Sequence, residues 1–162
     1  MKALILYRSF FGNTKLVAET IEGRLREKGY QTIVQDVRQK LPDLQQVDIV
    51  LNGAPTRIKR ANRRSVAVLK KLKSRGISTK PVAIFDTCGI IPTDPAKYEE
   101  ARPWLIPGAA GIMHKAAVDL GLNVFKDTLR CEVNGMKGPL VENAKQKAIA
   151  FTDAFLSMQA KA

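Results

Sequence analysis

Cysteine, histidine and aromatic rings are all scarce in this chain. Its two cysteines, Cys88 and Cys131, are too few for a disulfide framework and form no metal motif. They suit a pair of reduced thiols in a cytoplasmic protein. His114 is the only histidine, and with no partner motif around it the residue reads as structural. Aromatic residues make up 6% of the chain and do not interleave with the basic ones. That pattern speaks against base stacking, and so against nucleic acid as a partner. No apolar run approaches the ~20 residues of a membrane-spanning helix. The opening run Ala3 to Tyr7 is shorter than the apolar core of a signal peptide, and Arg8 ends it.

Basic charge, by contrast, is plentiful. Lys and Arg number 27 against 15 Asp and Glu, a formal net charge of +12. Such a field attracts anions, whether acidic proteins, nucleotides or surfaces. The densest run is Arg57, Lys59, Arg60, Arg63, Arg64, Lys70, Lys71, Lys73 and Arg75. The length of 162 residues suits a single domain, residues 1–162, with a full core.

Strand and helix patterns alternate along the chain. Ala3 to Tyr7 reads as a strand buried on both faces. Thr14 to Lys28 places Leu16, Val17, Thr20, Ile21 and Leu25 on one helical face, and Gly29 stops that helix. Gln31 to Val37, Val47 to Leu51 and Pro81 to Phe85 are further strands. Leu122 to Phe125 and Thr128 to Val133 read as a broken fifth. Asn62 to Arg75, Gly108 to Leu120 and Leu140 to Met158 are helical. The segment Cys88 to Pro107 holds four prolines and reads as a long excursion, with a short helix near Ala96 to Ala101. Alternation of this kind predicts an α/β fold, a parallel sheet covered on both faces.

In such a sheet ligands sit beyond the carboxyl ends of the strands. The loops there are Arg8 to Thr14, Gly53 to Arg60 and Asp86 to Gly89. In the first, Ser9-Phe10-Phe11-Gly12-Asn13-Thr14 turns a buried strand into a helix. A helix start offers unpaired N–H groups and the positive end of the dipole. A phosphate can dock there. Gly12 lets the backbone approach it, and Ser9, Asn13 and Thr14 can add side-chain donors. The plainer alternative is that Asn13 caps the helix while Gly12 makes the turn.

Ser9-x-x-Gly12-Asn13-Thr14 after an apolar first strand resembles the FMN-phosphate loop of flavodoxins. Ala54-Pro55-Thr56, Phe85-Asp86-Thr87, Gly108-Ala109-Ala110 and Gly138-Pro139-Leu140 resemble further signatures of a flavodoxin-domain branch, in the same order. The resemblance implies a flavodoxin-like three-layer sandwich with a five-stranded parallel sheet ordered 2-1-3-4-5. It implies FMN as cofactor and electron transfer as the task. Ala54, Pro55, Thr56 and Arg57 would line one side of the flavin ring, with Arg57 or Ile58 in place of the usual aromatic. Thr87, Cys88 and Gly89 would supply backbone groups to its polar edge. Phe11 stands where a second hydroxyl residue is usual, so one phosphate hydrogen bond is lost. Trp104 or Tyr98 can cover the ring, although a packing anchor is the simpler reading of Trp104. Cys88 reads as a small residue beside the cofactor and Cys131 as an ordinary strand residue.

Familiar electron-carrier flavodoxins are acidic, so the basic run Arg57 to Arg64 implies an acidic redox partner. It would also favour the negative forms of reduced flavin. An FMN-dependent NAD(P)H oxidoreductase of quinone-reductase type is the alternative function, with the same arginines holding a dinucleotide phosphate. A receiver domain shares the fold but needs acidic residues after strand one. A small tyrosine phosphatase needs a cysteine in the first loop. Neither requirement is met.

Overall fold

The computed structural model describes residues 1–161. Strands β1 (Lys2–Tyr7), β2 (Gln31–Asp36), β3 (Ile49–Pro55), β4 (Val82–Gly89) and β5 (Val124–Val133) form one parallel sheet. Their order is β2-β1-β3-β4-β5, as expected. Helices α1 (Asn13–Glu27), α2 (Arg63–Ser74), α3 (Pro95–Leu105), α4 (Gly108–Asp119) and α5 (Ala144–Gln159) follow the strands.

Two-sided burial explains the uniformly apolar strands, because successive side chains point to opposite faces. Leu4, Leu6, Val50 and Ile84 pack on one face with Leu69 and Leu72 of α2 and Met113 of α4. Ala3, Ile5, Leu51 and Phe85 pack on the other with Val17, Ile21 and Leu25 of α1 and Phe155 of α5. Each buried large aliphatic or aromatic side chain contributes roughly 1.5–3 kcal/mol over its exposed state.

Three boundaries differ from the sequence reading. β5 is continuous rather than broken, and Lys126 and Asp127 are both exposed within it. Period-two alternation slips at that pair, and the β4–β5 register shifts between Val82 and Ile84. α3 runs for 11 residues; Asp94 caps its start by accepting from Lys97 N–H at 3.0 Å, and Pro95 occupies the first turn. α5 begins only at Ala144, since Leu140 bridges back to Val133 and Val141 N–H donates to Glu132 C=O at 3.0 Å.

The register fixes where a ligand can sit. Tyr7 lies opposite Gly53, and Pro55 opposite Thr87, so β1, β3 and β4 end side by side. From β1 the chain crosses first to β2 on one side and later to β3 on the other. Their loops diverge there and leave a crevice.

Candidate functional site

Three loops meet at that crevice around a cleft of about 410 Å³. The first supplies Ser9, Phe10, Phe11, Asn13 and Thr14; the second, Pro55, Thr56, Arg57 and Ile58; the third, Thr87, Cys88 and Gly89. Gly12 and Ala54 stand apart from the lining. Gly12 turns the backbone at φ 92°, a conformation that favours glycine, and Ala54 is fully buried.

The start of α1 is left open. No side chain caps it, and its first turn holds no acidic residue. Asn13 is therefore not a cap. Gly12 N–H donates to Ser9 Oγ at 3.0 Å, and the first intrahelical bond runs from Leu16 N–H to Gly12 C=O at 3.0 Å. The N–H groups of Asn13, Thr14 and Lys15 find no acceptor among the described residues. Three amide protons and the positive helix end thus face no internal anion.

Side chains around this turn are already partly committed. Thr14 Oγ1 and Thr87 Oγ1 lie 2.7 Å apart, both buried, tying the first loop to β4. One hydroxyl donates to the other, and a single hydrogen remains for an outside acceptor. Asn13 Nδ2 donates to Lys137 C=O at 3.0 Å. That bond holds the 134–139 loop against the first loop, where Gly135 and Met136 join the cleft lining. Phe11 is exposed, with the Lys137 ammonium 5.8 Å from its ring centre.

Phe10 carries two cations on its ring, Arg8 at 4.3 Å and Arg57 at 4.6 Å. Arg8 also lies 3.5 Å from Asp36 and donates to Ser9 C=O at 2.7 Å. Burial opposes the charge of Asp36, yet the hydrogen bonds from Arg38 and the nearby Arg8 outweigh it. They hold its carboxyl below the ordinary carboxylate range.

The second wall rests on a buried polar hub. Thr56 Oγ1 donates to Asp86 Oδ2 at 2.8 Å and accepts from Ala109 N–H at 2.7 Å. Asp86 is fully buried, accepts from Ala110 N–H at 3.1 Å and pairs with Arg130 at 3.0 Å. Burial opposes the Arg130 charge, but its hydrogen bonds to Asp86 prevail and keep the guanidinium more firmly protonated than usual. Thr56 and Asp86 together cap α4. Gly108, at φ 73°, opens that helix where any Cβ would overlap the Arg130 guanidinium.

Residues 4–108 match the flavodoxin domain family. The chain belongs to that family. Flavodoxin 2 from Bacillus cereus is similar in structure at 22% identity and a TM-score of 0.74, over 98% of this chain and 99% of that one. A flavodoxin from the domain Archaea is similar at 20% identity and a TM-score of 0.69, over 96% and 99%. The flavodiiron core of Flv1 from Synechocystis sp. PCC6803 is similar at 16% identity and a TM-score of 0.73, over all of this chain and 37% of that one. No curated protein sequence matches the chain.

Within this flavodoxin domain the signature triplets have physical roles. Ala54-Pro55-Thr56, Phe85-Asp86-Thr87 and Gly108-Ala109-Ala110, two strand ends and a helix start, are joined in one hydrogen-bonded knot closed by Arg130. Trp104 corrects an expectation: it is a largely exposed cleft residue, while its neighbour Leu105 is the buried anchor of α3. Tyr98 does not reach the cleft lining. Leu105, Val133, Gly135 and Met136 complete the wall and carried no expectation. His114 is structural, its Nε2 lying 3.0 Å from Phe125 C=O.

The thiols are chemically quiet. Burial first, then the charge of Asp86, pushes the Cys88 thiol up to about 12. Burial pushes Cys131 to about 12 as well. At pH 8 only about one Cys88 in ten thousand is then a thiolate. Neither thiol is expected to be alkylated by iodoacetamide in the native protein at pH 8, and both should be in urea. Mass spectrometry reads the difference; rapid native labelling of Cys88 would contradict it.

The lip of the second wall is strained. Arg57 and Arg60 exchange both backbone hydrogen bonds, each at 3.0 Å, around Ile58 at φ 47° and Lys59 at φ 56°. Two positive φ values are the signature of a type I′ turn, which prefers Asn-Gly. A β-branched residue at positive φ is unusual. Replacing the pair by Ile58→Asn with Lys59→Gly should stabilise the fold by about 1–2 kcal/mol. A higher urea midpoint with an unchanged slope is the expected readout.

Proposed function

We propose that this flavodoxin-family chain binds FMN by its phosphate at the start of α1 and serves as an electron carrier. The observation that carries the reading is the uncapped helix start. Asn13, Thr14 and Lys15 present N–H groups without acceptors, beside the hydroxyls of Ser9 and the Thr14–Thr87 pair. That donor set fits a phosphate dianion, and no side-chain carboxylate competes for it. Pro55, Thr56 and Arg57 would flank the isoalloxazine on one side, and Thr87, Cys88 and Gly89 would meet its polar edge. When bound, the flavin supplies the redox chemistry. The chain's part is to seat the phosphate, exclude water with Trp104 and Leu105, and hold Arg57 near the ring.

The lining favours a carrier over an oxidoreductase. It contains no histidine, aspartate or glutamate, and its one thiol is fully protonated at neutral pH. No imidazole or carboxylate there stands ready as general acid or base toward a substrate. The two free, buried thiols suit a cytoplasmic setting.

Titrating the protein into FMN tests the reading. Quenching of flavin fluorescence and a shifted visible spectrum are expected at micromolar protein. Anaerobic NADPH alone should leave the bound flavin yellow. Unquenched flavin would end the cofactor assignment, and rapid bleaching by NADPH would replace the carrier by an oxidoreductase.

A further inference from the structure

Beside the cleft lies a surface whose strain and like-charge crowding cost the fold stability. Its first part is the turn Arg57 to Arg60, whose central Ile58 is held at φ 47° yet left 67% exposed. Strain at a side chain left mostly in solvent suggests a contact outside the protein. Its second part is the first turn of α2. Arg63 and Arg64 open that helix, after the Asn62 cap and with no acidic residue in the turn. A helix start favours anions, so two arginines there crowd like charge against like. Arg57, Lys59, Arg60, Arg63 and Arg64 are all exposed, and none has a carboxylate within ion-pair distance among the described residues. Its third part is apolar: Phe11 is 47%, Trp104 61% and Met136 81% exposed around the cleft mouth. Lys59 N–H donates to Trp104 C=O at 2.9 Å, which joins the charged turn to this apolar rim.

We infer that this lip is the docking face for an acidic redox protein. Its redox character rests on the flavin reading above; its acidity rests on the charge pattern alone. Cations concentrated on one side of the mouth steer a carboxylate-rich partner toward it. Ile58, Trp104 and Met136 then offer the small dry contact of a transient complex, the size class of redox encounters. One electron passes from the partner's reduced centre to the oxidised cofactor, or the reverse, with no bond made or broken. Carboxylates on the partner would meet the arginines that the protein leaves unpaired, and the like-charge cost at α2 would be relieved on binding.

The probe is oxidised plant-type [2Fe–2S] ferredoxin, chosen for its net negative charge, titrated calorimetrically into the FMN-loaded protein. The variants are Arg60→Glu/Arg63→Glu/Arg64→Glu, which leaves the cleft lining intact, and Ile58→Ser. Binding is expected to weaken at least tenfold between about 20 and 200 mM salt. The triple variant should weaken it at least tenfold at low salt, with circular dichroism and FMN affinity unchanged, and Ile58→Ser should weaken it severalfold. Cationic cytochrome c should not bind. Wild-type affinity for ferredoxin in the triple variant, with FMN still bound, would overturn the docking face and leave the flavin reading standing. Loss of FMN uptake in the wild type, with salt-sensitive ferredoxin binding retained, would remove the flavin reading and the redox character of the partner together. Duplex DNA displacing the ferredoxin at equal concentration would reassign the face to nucleic acid and overturn the proposal.

Discussion

Ser9→Asp is expected to lower FMN affinity by about a thousandfold while leaving the apoprotein as stable as before, or slightly more so. The two effects share one cause. A carboxylate at position 9 can accept the Gly12 N–H that the Ser9 hydroxyl accepts at 3.0 Å. It also places negative charge at the uncapped start of α1, worth about 0.3–1 kcal/mol to the helix. The same charge repels a bound phosphate. At about 4 Å and an effective dielectric constant near 20, a single unit-charge pair costs about 4 kcal/mol, close to three orders of magnitude in affinity. Riboflavin, which lacks the phosphate, should bind wild type and variant alike. Fluorescence titration with both flavins, beside urea unfolding of the apoprotein, separates the terms. A loss under tenfold for FMN would place the phosphate elsewhere.

The second large effect is expected at Asp86. Asp86→Ala should destabilise the fold by about 3–5 kcal/mol, because it leaves the Arg130 guanidinium largely buried without its counter-ion. Thr56 Oγ1 and Ala110 N–H lose their acceptor at the same time. Pairing Asp86→Ala with Arg130→Met should recover most of the loss, since an apolar side chain of similar length removes the stranded charge. Urea unfolding of the two variants reads both results. A single-variant loss below about 1 kcal/mol would show that the hub carries little of the fold.

Local chemistry explains which of these features the sequence made legible. The strands of the central sheet declare themselves by short apolar runs ended by polar residues, Arg8, Asn52 and Asp86, and the first loop is six consecutive residues. The fifth strand reads as broken in the sequence because Lys126 and Asp127 look like a turn, while on an edge strand with a bulge they simply face water. A tryptophan in a proline-rich segment suggests an anchor as readily as a ring cover, and the fold places Trp104 in the cleft lining with Leu105 as the buried anchor. The Thr56–Asp86–Arg130 hub escaped notice altogether, its members lying far apart in the chain. A faint signal existed: Asp86 is a lone charge in an apolar strand and Arg130 an opposite charge in the next strand, and the register sets them side by side. The phosphate-loop side chains were legible as donors, but not their prior commitments to Thr87 and Lys137.

Arg130 lies outside the segment 4–108 through which the family is recognised, yet its guanidinium is the keystone of a wall built within that segment. Kinship and completion are thus divided along the chain. A fragment ending at residue 108 would keep every recognisable flavodoxin signature up to Gly108, and would leave the buried Asp86 carboxylate with the Thr56 hydroxyl but no cation to answer it. Drift in the final third is consequently not free to run: whatever replaces Arg130 must still bring a positive charge to the same spot from the far edge of the sheet.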